Sequence, residues 1–189
     1  MEKFKQFCKE HMSAIVLLSA AVLSFIFFFT MSGVKMTQVE SGIEMVCTVP
    51  LSGVAFGSSK VNAQYNYGGV NFDASIPFSG GLSVFGLISF ILLLVSMALI
   101  IYAMIKKNAK IELYGAICLL ISGICMFLVL VAGSDVVADL SSFGQEKMAE
   151  SFREFYEDTH ISVGVYFYGI VCILGSAFGI YRYFKGKIN

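Results

Sequence analysis

Four long stretches without a charged residue limit what this chain can fold into. They are residues 13–30, 82–105, 113–132 and 161–181, with 18, 24, 20 and 21 residues. A helix needs about 20 apolar residues to cross a bilayer core, and these stretches lack the polar stripe of a soluble core helix. The sequence therefore predicts a membrane α-helical fold, a four-transmembrane-helix bundle in a single integral membrane domain. The predicted spans cover residues 13–31, 82–105, 112–133 and 161–182.

The first stretch follows a basic segment, as the apolar core of a signal peptide does. Its apolar run is longer than the roughly 7–15 residues of such a core, which favours a retained helix over a cleaved one.

Basic residues cluster in three short segments and indicate which helix ends face the cytoplasm. Lys and Arg near membrane ends stay on the cytoplasmic side, and a four-helix chain brings all three segments to that side. We therefore expect cytoplasmic residues 1–12, 106–111 and 183–189, both termini inside, and a place in the cell (plasma) membrane. The nine basic residues are Lys3, Lys5, Lys9, Lys106, Lys107, Lys110, Arg182, Lys185 and Lys187.

The first outer segment, residues 32–81, alternates polar and apolar residues around Gly68-Gly69. A Gly pair suits the two-residue turn of a β-hairpin, and this turn places Tyr67 opposite Val70. Apolar residues then pair with apolar ones throughout, a match that a one-residue slip would destroy. The same register pairs Tyr65 with Phe72, Ala63 with Ala74, Val61 with Ile76, Asn66 with Asn71, Gln64 with Asp73 and Asn62 with Ser75.

Two weaker strand patterns precede the hairpin. Residues 43–51 alternate, interrupted by Pro50, which suits an edge or a strand end. Val34 and Met36 form a shorter candidate. We expect a small extracytoplasmic antiparallel β-sheet of three or four strands.

The second outer segment, residues 134–160, is predicted to be helical. Within it, residues 145–159 carry apolar residues at helical spacing and charged residues on the other side. This pattern indicates an amphipathic helix that covers the sheet or lies on the bilayer surface. The apolar residues are Met148, Phe152, Phe155 and Tyr156.

The predicted layout is similar to the claudin-type tetraspan layout. It has four spans, inner termini, an outer β-rich segment of 50 residues and a shorter outer segment of 27 residues. That family folds its outer segments into a small sheet on a left-handed four-helix bundle, which the resemblance implies here. The family signature, a Trp, then Gly-Leu-Trp and two cysteines, is absent: there is no Trp, and Cys47 is the one cysteine of that segment. The resemblance therefore implies architecture and assigns no residue a role.

Candidate contact residues lie at the hairpin tip and in the fourth span. Gly175 and Gly179 form a small-xxx-small face that brings helices close, within the chain or between chains. Tyr166 and Tyr168 suit an aromatic belt at the outer interface. The residues expected to contact a partner are Asn66, Tyr67, Gly68, Gly69, Val70 and Asn71.

Asp135, Asp139 and His160 are the weak candidates for a metal site. Carboxylate clusters suit hard cations, but the favoured interpretation is a solvated acidic rim where helices leave the membrane. No charged residue lies inside the four stretches, where ionisable groups mark transport or proton relays. The sequence thus predicts no cofactor, no metal and no catalytic residue.

The favoured function is therefore non-catalytic: a binding, scaffold or accessory subunit that acts through its outer sheet and helix faces. The expected partners are the lipid bilayer and a membrane protein or second copy of the chain. No basic run is long enough to predict nucleic-acid binding. One alternative is a small transporter or channel subunit, and a second is a membrane enzyme with a metal site at the outer rim. The transporter would need a polar path lined by Ser89, Ser96, Ser122 and Ser176.

Overall fold

Long helices and one antiparallel sheet make up the described part of the chain. The computed structural model describes residues 11–40, 43–67, 70–79, 83–132 and 159–188. In chain order the elements are α1 (Met12–Thr30), β1 (Ser32–Glu40), β2 (Ile43–Pro50), α2 (Leu51–Phe56), β3 (Ser58–Tyr67), β4 (Val70–Ser79), α3 (Val84–Lys106), α4 (Ala109–Ala132), β5 (Thr159–Ile161) and α5 (Val163–Ile188).

The described residues fall into two compact units. The helical unit comprises those in Met1–Ile26, Ile88–Met126 and Phe167–Asn189. The sheet unit comprises those in Phe27–Leu87 and Phe127–Tyr166.

The helices α1, α3, α4 and α5 are long and apolar enough to cross a membrane. Two of them extend three or more residues beyond the predicted spans, because charged residues continue a helix where hydrophobicity alone would end it. Helix α5 runs on to Ile188, and α4 begins at Ala109. Only Lys107 and Asn108 separate α3 from α4. Lys107 takes a left-handed conformation with φ 49°, and the Asn108 side-chain oxygen accepts a 3.0 Å hydrogen bond from the backbone N–H of Lys110, as an N-cap residue does.

The helical unit buries small and hydroxyl-bearing residues together with large ones such as Leu17 and Leu93, and it also exposes many large apolar side chains. Leu174 is 65% exposed, Ile91 50% and Ile26 48%. In a water-soluble protein most large apolar side chains fill the core, whereas here many of them are exposed along all four long helices. Small residues at the contacts let helix backbones approach closely. The buried small residues and serines include Ala14, Ala21, Ser24, Ser89, Ser96, Ala116, Ser122 and Ser176.

The sheet has five strands in the order β4-β3-β2-β1-β5, and every neighbouring pair is antiparallel. The predicted hairpin register is confirmed from Tyr67 opposite Val70 to Val61 opposite Ile76. Pro50 ends β2 as expected, although β2 is a central strand. The sequence predicted three or four strands because the three-residue β5 is too short to show a pattern.

Two predicted boundaries differ from those of the structure. Leu51 was expected to continue the β2 alternation, but it begins the short helix α2, and its N–H donates to the Met31 carbonyl at 3.0 Å. Residues 161–182 were predicted as the fourth span and His160 as the end of a helical segment. Instead, His160 lies in β5 and α5 begins at Val163. Pairing with β1 makes Thr159–Ile161 a strand, although the sequence of this segment was predicted to be helical. Apart from its last residue, Thr159, which belongs to β5, the predicted amphipathic helix lies outside the described residues.

Candidate functional site

The register of the sheet gathers polar residues on one side, here called the polar face. Residues two apart in a strand share a face. One cross-strand row runs from Lys35 through Thr48 and Asn62 to Ser75. The next two rows are Thr37, Val46, Gln64 and Asp73, and then Val39, Glu44, Asn66 and Asn71.

Four side chains of the polar face are exposed: Lys35, Gln64, Asn66 and Asp73. Sequence reasoning found this face only on the hairpin. Its continuation over β1 and β2 depends on how the separate strands pair, which alternation within one strand does not show. The face carries both signs of charge across four strands.

The rows between these form the opposite, mostly apolar face. One row joins Met36, Cys47, Ala63 and Ala74, and the next joins Gln38, Met45, Tyr65 and Phe72. Cys47 therefore lies in a central strand. A sheet with one polar and one apolar face needs cover on the apolar face alone.

The two edges of the sheet differ in length. At one edge β5 pairs with only three residues of β1, Val34 to Met36. At the other edge β4 has ten residues and, among the described strands, pairs with β3 alone. Pro77 lies in β4, and proline is tolerated in edge strands because it has no N–H to donate. An edge strand presents unpaired backbone groups that can pair with another chain.

The predicted contact residues at the hairpin tip are only partly within the described residues. Asn66 is exposed and opposite Asn71, and Tyr67 pairs with Val70. Gly68 and Gly69 lie outside the described residues. The polar face and the β4 edge meet at this hairpin.

The weak metal candidates are not brought together within the described residues. His160 pairs in register with Lys35, and a lysine at the cross-strand position disfavours a cation site by charge repulsion. Asp135 and Asp139 lie outside the described residues. No group of three His, Cys, Asp or Glu residues suited to a metal occurs in the described ranges.

A hydrogen-bonded cluster of hydroxyl groups lies inside the helical unit. The Ser122 hydroxyl lies 2.7 Å from the Tyr168 hydroxyl and donates to the Ser89 carbonyl at 2.8 Å. The Ser89 hydroxyl in turn lies 2.9 Å from the Ser122 carbonyl. Tyr168 is fully buried, so its assignment to an interfacial belt is wrong; Tyr166, which is 45% exposed, still suits one.

Three further serine hydroxyls in the helical unit, those of Ser24, Ser96 and Ser176, also have protein partners. Ser96 donates to the Gly115 carbonyl at 2.8 Å, and Ser176 donates to the carbonyl three residues earlier at 2.8 Å. The Cys172 thiol donates to the Ser24 hydroxyl at 3.2 Å. Of the four serines that a transporter would need, Ser89 and Ser122 meet, whereas Ser96 and Ser176 bond to helix backbone.

The two glycines singled out in α5 contact α1. A methyl group at Gly175 would overlap the Ala20 side chain. One at Gly179 would lie 2.6 Å from a Leu17 methyl carbon. The small-xxx-small face is thus occupied within the chain.

Comparison with protein-family models and with curated proteins finds no match to this sequence. The similarity to the claudin-type layout accordingly stays a prediction about architecture.

Proposed function

We propose that this protein is a four-span integral membrane protein of claudin-like layout, with its sheet outside the cell and both termini in the cytoplasm. The many exposed large apolar side chains of the helical unit support a lipid solvent, because such side chains exposed to water would favour aggregation. The lysine-rich segments support the orientation.

Within that membrane, the protein acts as a binding or accessory subunit that recruits another protein through its sheet. The observation that carries this proposal is β4, a ten-residue edge strand with one side open among the described strands. A partner strand can add to such an edge through main-chain hydrogen bonds. The exposed Gln64, Asn66 and Asp73 on the neighbouring polar face supply side-chain selectivity.

The buried hydroxyls support binding over transport. A polar path needs groups free to bind a solute or water. Here the hydroxyls of Ser89, Ser122 and Tyr168 bind one another. Transport is therefore the second hypothesis, and a membrane enzyme with a metal site at the outer rim is the third.

Photo-crosslinking in intact membranes tests the edge directly. A photoreactive amino acid replaces Asp73, which is exposed in β4. The matched control replaces Lys35, which is exposed on the same face but in β1, near the other edge. We expect a protein adduct from position 73 and none from position 35, with the attached protein identified by mass spectrometry.

Equal adducts from both positions, or none from position 73, would contradict the edge proposal.

A liposome flux assay on the purified protein tests the hypothesis that the protein is a transporter. Solute flux that is lost when Ser89 and Ser122 are replaced by leucine would favour a transporter.

A further inference from the structure

The ends of four helices line two cavities in the helical unit, of about 290 and 560 Å³, and both cavities are open to the outside. Ala109, Arg182 and Tyr183 line both cavities, so the two adjoin. Together they are called the basic cavity here. Binding sites for small molecules and headgroups commonly occupy about 300–1,000 Å³, so the basic cavity has the size of a ligand site.

Five basic side chains and one carboxylate line the basic cavity. The carboxylate belongs to Glu112, in the first turn of α4. Lysines and arginines at helix C-termini are common because they offset the helix dipole, and this accounts for some of the charge at the ends of α3 and α5. It does not account for a cavity that these side chains share. The five basic residues are Lys106, Lys107, Lys110, Arg182 and Lys185.

A buried hydroxyl in the cavity lining lacks a partner. The Ser13 oxygen is buried and makes no hydrogen bond with any described residue, and Ser13 lines the smaller cavity. An unmade buried hydrogen bond is costly, so such a group points to a ligand or water. Ser13 lies in the first turn of α1, where backbone N–H groups without intrahelical partners favour anions.

We propose that the basic cavity binds a phosphate group carrying two negative charges, as on the monoester headgroup of an anionic membrane lipid. Arg182 holds the phosphate as a bidentate donor, and the Ser13 hydroxyl donates to it. The excess of cations favours a doubly charged phosphate over a singly charged or zwitterionic headgroup. The inference that this phosphate belongs to a lipid rests on the proposed membrane placement, which brings the cavity to the level of the inner headgroups. Basic pockets between membrane helices on that side bind such headgroups.

Binding measurements on the purified full chain in neutral detergent test the proposal. Phosphatidic acid and phosphatidylcholine with matched acyl chains, and inorganic phosphate alone, are titrated separately. Affinity comes from native mass spectrometry and from the shift in thermal unfolding. We expect phosphatidic acid to bind about tenfold or more tightly than phosphatidylcholine, the change expected from one charged hydrogen bond.

Three variants and one control locate the binding. We expect Arg182→Gln to weaken phosphatidic acid binding about tenfold and Ser13→Ala to weaken it severalfold. Glu112→Gln should strengthen it by removing a like charge, a gain that misfolding would not produce. The control Lys35→Gln removes one positive charge from exposed β1 and should leave binding unchanged.

Equal binding of both lipids, or equal loss in Arg182→Gln and Lys35→Gln, would overturn the proposal. Arg182-dependent binding of inorganic phosphate without any preference for phosphatidic acid would assign the cavity to a soluble phosphate compound and overturn the lipid source. These outcomes are independent of crosslinking at Asp73, so this inference and the proposed function can fail separately.

Discussion

At the scale of single residues, small side chains set the distance between helices. Gly175 and Gly179 of α5 face Ala20 and Leu17 of α1 with no room for a larger side chain. Gly123 of α4 is similarly restricted, because a methyl group there would lie 2.8 Å from the Cys172 Cβ. In a membrane, association depends on such van der Waals packing because lipid provides no hydrophobic drive between helices.

We expect Gly175→Val to lower the free energy of unfolding by about 1–3 kcal/mol, the usual cost of overpacking. Thermal unfolding in detergent measures it. The control Ala177→Val introduces the same side chain at an exposed position two residues away. Helix propensity favours valine over glycine but disfavours it relative to alanine, so a Gly175→Val protein as stable as the Ala177→Val protein would contradict a tight contact with Ala20.

Hydroxyl groups contribute a second, directional contact between helices. We expect Tyr168→Phe to lower the free energy of unfolding by about 0.6–1.7 kcal/mol, the range for hydrogen bonds between membrane helices. Ser122 and Ser89 keep their hydrogen bonds to each other in this variant, which limits the loss.

Chemical denaturation in detergent measures this loss. Tyr166→Phe is the control, since Tyr166 is 45% exposed and its hydroxyl takes no part in the cluster. A Tyr168→Phe protein as stable as the Tyr166→Phe protein would show that the buried cluster contributes nothing measurable.

At the scale of elements, the hairpin of β3 and β4 shows how strongly alternation fixes a register. Each residue from Tyr67 back to Val61 meets the partner that the sequence predicted, because a slip by one would exchange the two faces. The change from β2 to α2 was not predictable in this way. Leu51 fits the alternation, but it is buried at the start of a helix whose length of six residues leaves no periodic signal.

Helix α2 ends at Gly57, which has φ 67° and ψ 9° and whose N–H donates to the Gly53 carbonyl at 2.9 Å. We expect Gly57→Ala to cost about 1–2 kcal/mol, because a Cβ disfavours the left-handed conformation. Gly57→Asn should cost less, since Asn visits that conformation. Thermal unfolding compares the two variants, and an equal cost for both would mean that loss of space, not conformation, is the cause.

At the scale of the whole molecule, the distribution of charge predicts how the chain lies in a membrane. We expect an epitope tag between Asn66 and Asn71 to be reached by antibody from outside sealed right-side-out vesicles. A tag after Asn189 should be reached only after permeabilisation. The basic residues in segments 1–12, 106–111 and 183–189 predict this orientation, because Lys and Arg near membrane ends stay on the cytoplasmic side. Accessibility of both tags from one side would contradict it.

The sequence by itself determined the four long helices and the register of the hairpin, because both depend on the local periodicity of apolar residues. Only the tertiary structure decided which strands are neighbours, and so how far the polar face extends beyond Gln64 and Asp73. It also decided that Tyr168 is buried and Tyr166 exposed, and that Ser13 and Arg182 line one cavity although they are distant in the chain. Such placements depend on contacts between distant segments, whereas periodicity reports only which side of one segment is apolar.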